Sequence, residues 1–477
     1  MKPSSFSFIL SLLLYICIES MIQVNADCWE HNNPLRPWEK TKSSFCGTQS
    51  KPKNKLTINQ GKLEDDQAAF LAPEAAFQFV FSCGSPDQTL CTKAENSFKA
   101  AGLIIANLVN FTKPLVVNAT FTPFCQALGE CDGKILGAAS AARTVPLQDD
   151  DNKIRQYPQA LAKQFLLQPE PQWGPFDIQA FFNAEADLFF EGDTQPITPT
   201  QFDFRYIILH ELVHGLGFAS GWNSYFSGGD GSSNDAIALT PDPGFLEKLT
   251  GLNDPVVFTG FEETAFDKYM VNAKIKTQSP KRMTDYADSI NSFAPIGTKF
   301  PSVQALLNSF QNSRSFTTST ELIGDSQTPK TFAFQTQNAK STADLIFLET
   351  NLKPFQQGSS ISHVDIVSFN NNSDFLEVFN AKRGQNLDQI LSSVGGTYPI
   401  GPKLQNVLET LGYTTANNQT PYKPRLPNSP KLNVTPPPPL PVANQNGNKI
   451  SASAATPLKS NFNILSVIIF VALVLLL

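Results

Sequence analysis

HELVHGLGFAS, residues 210–220, sets two histidines four positions apart with a glutamate directly after the first. On a helix this spacing puts both imidazoles on one face, where they can share a metal ion, and leaves the carboxylate at the edge of that face. A zinc ion needs at least one further protein ligand. In the commonest continuation of the pattern, that ligand is a histidine six residues after the second one, beyond a glycine turn. Here the position is Ser220, whose hydroxyl is a poor zinc ligand, so either the site is not a zinc site or the third ligand comes from elsewhere in the chain.

Outward from this motif, TQFDFRYIILHELVHGLGF (200–218) has helical periodicity, with Asp203 as its cap and Gly215 and Gly217 marking its stop. The chain has four histidines, His31, His210, His214 and His363. An imidazole on a buried helix face costs free energy unless something satisfies it, and zinc would satisfy His210 and His214 together. The alternative is a core helix with two satisfied histidines and a solvated glutamate. Glu211 is placed to act as general base on a zinc-activated water without ligating the ion. His31 lies in a polar N-terminal stretch, which leaves His363, in GSSISHVDIVSFNNNSDFLEVF (358–379), as the natural third ligand. Asp365 and Asp267 are carboxylate alternatives, and Asp365 could instead orient an imidazole.

The rest of the globular region mixes helix and strand, an α+β pattern. KPLVVNATFTPF (113–124) reads as a strand, PQALAKQFLLQ (158–168) as a helix, and DIQAFFNAEADLFF (177–190) as a strand ending near Asn183. Residues 228–358 are long, polar and irregularly patterned, a large insertion with some helices of its own.

HELVHGLGF, followed after that insertion by SISHVD and DFLEVF, resembles the leishmanolysin-type metalloproteases and bacterial secreted relatives with an HGLGF helix. The resemblance covers about residues 100–413. It implies a zincin/metzincin-like fold: a twisted mixed sheet with an antiparallel edge strand, an active-site helix and a C-terminal subdomain. It implies His210, His214 and His363 as zinc ligands and Glu211 as catalytic base. It further implies that DIQAFFNA is the sheet edge on which an extended peptide would lie. The family places a methionine beneath the zinc shortly after the third histidine. In this chain no methionine follows Met283, and Val378 occupies roughly that region.

The ends and the cysteines indicate export. Residues 1–26 have the charged start, apolar run and small-residue cleavage site of a secretory signal peptide. Residues 27–66 are polar, a propeptide or an N-terminal extension, and 67–413 form the metalloprotease-like domain. Residues 414–455 are Pro/Asn/Ser-rich, a composition that favours an extended stalk. Residues 456–477 end in an uncharged apolar tail after Lys459, the layout of a GPI-attachment signal with Ser451 or Ser453 as the attachment residue. This predicts a cell-surface protein held to the membrane by a lipid anchor or by the hydrophobic tail itself. Six cysteines remain after the signal peptide, all before residue 132, and predict three disulfides whose pairing the sequence does not fix. Sequons at Asn110, Asn118, Asn371, Asn418 and Asn433 predict surface glycans. A net charge of −6 provides no electrostatic footprint for nucleic acid. Three functions fit these observations: a zinc endopeptidase acting on protein or peptide substrates, an inactive adhesion or cell-wall protein that keeps the scaffold, or a metal-dependent hydrolase acting on some other amide, since zinc-water chemistry does not itself specify a peptide.

Overall fold

The computed structural model describes residues 27–48, 69–226, 236–274 and 279–427. The expected signal peptide (1–26), the attachment signal (456–477) and the Pro-rich stretch beyond 427 lie outside the described residues. Up to residue 183 the strands are β1 (Trp29–Glu30), β2 (Thr41–Lys42), β3 (Phe77–Cys83), β4 (Leu115–Thr122), β5 (Gly137–Ala141), β6 (Arg143–Gln148), β7 (Ile154–Pro158) and β8 (Ile178–Asn183). They form two sheets of four, ordered β3-β4-β8-β5 and β2-β1-β6-β7.

In the first sheet β3, β4 and β8 run parallel, and β5 pairs antiparallel to β8. Alternation along LVVNATFT buries Leu115, Val117, Ala119 and Phe121 on one face. On that face lies a long helix, Gln88–Leu108, started by Asp87, whose side chain accepts from the N–H groups of Thr89 and Leu90. Phe98 on this helix is fully buried and packs edge-on against Phe182 and Phe204. Residues 177–183 are a strand, as expected, but not an edge. β8 is hydrogen-bonded on both sides, and GAASA of β5 forms the edge instead. The physical reason is visible in β8 itself, where five of six residues are buried, as an interior strand covered on both faces requires.

The motif helix spans Phe204–Gly215 and is capped by Asp203, as its sequence predicts. The two glycines at its C-terminal end do different things. A Cβ on Gly215 would sit 2.5 Å from Cγ2 of Ile178, so its bare backbone lets the helix lie directly on β8. Gly217, with φ of 113°, is the residue that turns the chain. The helix expected over 158–168 shortens to Gln159–Ala162 and a 3₁₀ turn at Lys163–Phe165, ended by Leu166 in the left-handed conformation.

The inserted region carries helices Met283–Asn291, Val303–Gln311 and Arg314–Asp325, as expected of it, and also an antiparallel four-stranded sheet. Most of its buried apolar side chains join those of the first half in one core, while Val271, Ala333 and Leu345 form a small separate cluster. The disulfides pair near neighbours: Cys28 with Cys46, Cys83 with Cys91, Cys125 with Cys131. Residues 27–48 are built into the second sheet through β1, with Trp29 buried and Lys40 ion-paired to Asp242. Residues 414–427, expected to begin the stalk, instead pack on the domain, where Arg425 exchanges backbone hydrogen bonds with Gln148. Among the described residues no helix is long and apolar enough to cross a membrane.

Candidate metal centre

One helical turn brings His210 above His214, and a separate segment delivers His363 to meet them. The three Nε2 atoms form a triangle with sides of 3.2 Å. Each Nδ1 is committed to a backbone carbonyl: His210 to Leu376 at 2.7 Å, His214 to Phe218 at 2.7 Å, and His363 to Ser359 at 3.0 Å. A carbonyl oxygen only accepts, so each ring carries its proton on Nδ1 and turns a bare Nε2 lone pair toward the other two. Burial keeps the rings neutral. It lowers the His210 pKa to about 3, with His214 adding to the effect, and lowers the His214 pKa to about 4. His363 falls well below its ordinary value, again mainly through burial and then through the two neighbouring histidines.

Three neutral imidazoles aimed at one point have no proton to share, so they cannot satisfy one another. A cation satisfies all three. Tetrahedral zinc, with Zn–N bonds of about 2.0–2.1 Å, sets its nitrogen ligands about 3.3–3.4 Å apart, close to the spacing found here. The residues present therefore fit a zinc ion, and among the described residues these three histidines are the group assembled closely enough to hold one.

Glu211 accepts the backbone N–H of Ala139, on the edge strand β5, at Oε2 over 2.8 Å. Burial raises its pKa to about 8. The carboxylate alternatives for the third ligand lie elsewhere. Asp365 caps the short helix Ile366–Phe369 through the N–H of Ser368 and also holds Asn351. It does not orient an imidazole, since backbone carbonyls do that. Asp267 is fully buried and organises the turn after the motif helix, accepting from Ser220 Oγ and from the N–H groups of Gly221 and Thr264. Both do what short carboxylates do at turns and caps. His31 is also apart from the centre, with Nδ1 donating to the carbonyl of Pro37.

The sequence did not single out Glu377. Its carboxyl is fully buried, 3.7 Å from His210 Nδ1 and 3.7 Å from His214 Nε2. A charged residue inside the apolar run FLEVF was the available signal. Val378, in the region where the methionine was expected, lines the cleft, and the carboxyl of the neighbouring Glu377 lies 3.7 Å from nitrogens of two of the histidines. The cleft itself encloses about 860 Å³. Its walls include Pro34, Leu35 and Trp38 of the N-terminal segment, the edge strand, and Trp222 and Tyr225 beyond the helix.

The described residues thus define an α+β protein whose buried three-histidine, one-glutamate centre opens into a cleft beside the edge strand β5. The chain belongs to the SPBPB7E8-like family, which its sequence matches over residues 27–445. It is 26% identical over 363 residues, 72% of this chain, to an uncharacterized protein, PB7E8.01, of Schizosaccharomyces pombe. The matched region spans 63% of that relative's length. No solved structure matches the chain.

Proposed function

We propose that this chain is a zinc-dependent endopeptidase of the cell exterior, with a metzincin-like centre and the histidine triangle as the observation that carries the reading. His210, His214 and His363 would hold the ion. Zinc, when bound, supplies Lewis acidity and makes water nucleophilic near neutral pH. The remaining work falls to the chain. Glu211 is the general base: Ala139 fixes Oε2, no hydrogen bond among the described residues occupies Oε1, and that oxygen takes the proton of the attacking water and returns it to the leaving amine. β5 is the edge strand beside the centre, and an extended peptide would add along it as a further strand, with the Ala139 N–H kept by Glu211. The three disulfides support an exported protein, and the apolar C-terminal tail supports a lipid anchor.

The second reading, an inactive surface or cell-wall protein, is favoured by one observation, that no methionine follows His363 in the sequence. Cleavage of casein by the secreted chain and by its Glu211→Gln variant separates the two. The protease reading expects cleavage by the parent alone, with zinc in both proteins. Zinc in both with cleavage by neither favours the inactive scaffold.

A further inference from the structure

Glu377 has no role in the chemistry proposed above, yet its carboxyl occupies a position that does not accommodate it. It is fully buried, and neither Oε1 nor Oε2 has a hydrogen-bond partner. Imidazole nitrogens of His210 and His214 lie at 3.7 Å, too far for a hydrogen bond. Neither protonation state is satisfied by this arrangement: a carboxylate lacks a donor, and a carboxylic acid lacks an acceptor for its O–H. Chance looseness does not explain the placement, because the backbone around it is pinned. Leu376 holds the Nδ1 proton of His210, the carbonyl of Glu377 accepts from Val364 N at 2.9 Å, and Phe375 stacks on Tyr206 of the motif helix. The segment that orients one ligand thus also fixes the carboxyl beneath two of them.

We infer that Glu377 is the counter-charge of the metal centre: its carboxylate, sealed beneath His210 and His214, raises the affinity of the three neutral histidines for a dication. Three imidazoles bring no negative charge, so an ion bound by them alone would be a buried, uncompensated double charge. A carboxylate behind the ligands offsets that charge and is in turn stabilised by it. Glu377 is a positioning residue, since it acts through the ligands and touches no reacting atom. The inference rests on the zinc reading, so the test must distinguish the two failures.

Zinc affinity is measured by competition with a chromophoric chelator, and melting is followed in excess EDTA and in excess zinc. The proteins are the secreted chain, Glu377→Gln, which keeps the shape, and Glu377→Met, which removes the polar atoms. Expected is a loss of affinity on the order of 10- to 100-fold in both variants. In EDTA the methionine variant melts at or above the parent, because a buried unpartnered carboxyl has been removed. A purely structural role would lower melting in both solutions and leave affinity unchanged. Zinc affinities within about twofold of the parent, with the parent binding tightly, overturn the counter-charge and leave the zinc site standing. A parent that binds no zinc overturns both.

Discussion

His210 and His214 stand on a helix whose backbone satisfies itself, whereas His363 stands on a segment with almost no repeating structure, held by buried side chains. On the first side, spacing and packing suffice. The i and i+4 positions align the rings, Asp203 caps the helix, and Gly215 lets it rest on Ile178. On the second side every constraint is particular. Glu349 accepts the N–H groups of Asn351 and Ile366 through its carboxylate, and its backbone bonds His363 and Ile361. Ile361 is β-branched, buried and at φ of 57°, a conformation that costs about 1–3 kcal/mol. A regular element can carry ligands cheaply because its geometry is repeated. An irregular one must spend buried hydrogen bonds to hold a single ring, which makes it the half where single substitutions should act most locally.

The largest effect should come from His363→Ala, which removes the irregular half's whole contribution. Zinc content measured by atomic absorption should fall from a single ion per chain to near zero, and proteolysis should vanish with it. Full zinc retention by this variant would break the assignment. Next is Glu211→Gln, on the regular half, which should keep zinc and lower peptide cleavage by about 10²- to 10⁴-fold.

The two halves should also unfold differently. Phe98→Ala, beneath the motif helix, should cost about 3–5 kcal/mol in urea melts, because it empties a closely packed aromatic cluster. Glu349→Gln should cost less, about 1.5–3 kcal/mol, as charged hydrogen bonds become neutral ones. Its effect on zinc affinity should nevertheless exceed that of Phe98→Ala, since it frees the segment bearing His363. Equal effects of the two on zinc binding would erase the distinction drawn between the halves.

The smallest effect is one of pH on the chelated protein. The folded-state pKa values of His214 and His210 are depressed to about 4 and about 3. Their contribution to stability is therefore full above the ordinary value of 6.5 and is lost as pH falls through those values. Glu211 acts in the opposite sense. Its pKa is raised to about 8, so its contribution is full below the ordinary 4.5 and is lost as pH rises through about 8. Melting temperature in EDTA should fall on both sides, and Glu211→Gln should abolish the part of the alkaline fall that Glu211 causes. An unchanged alkaline limb in that variant would show that other groups produce it.

The same contrast explains what could be read in the sequence. The motif helix and its Asp203 cap follow from local rules, since helix periodicity and capping are encoded within a few residues. His363 was legible for a different reason: with four histidines in the chain, few candidates exist. Pairing between distant segments was not legible. β8 lies inside the sheet because GAASA, whose small residues carry little strand signal, pairs with it from outside. Asp365 and Asp267 were plausible ligands by chemistry, but at turns a short carboxylate satisfies backbone N–H groups, and such roles are set by the tertiary path. Glu377 escaped notice because its meaning depends on what stands above it, namely two histidines more than 160 positions earlier in the chain.

The most direct measurement of the central claim is X-ray absorption at the zinc edge of the secreted chain, purified without added metal. The account predicts bound zinc with three nitrogen neighbours of imidazole type at about 2.0–2.1 Å, and fewer such neighbours in His363→Ala. A chain that carries no zinc and takes up none, or zinc whose imidazole count is unchanged in His363→Ala, would contradict it.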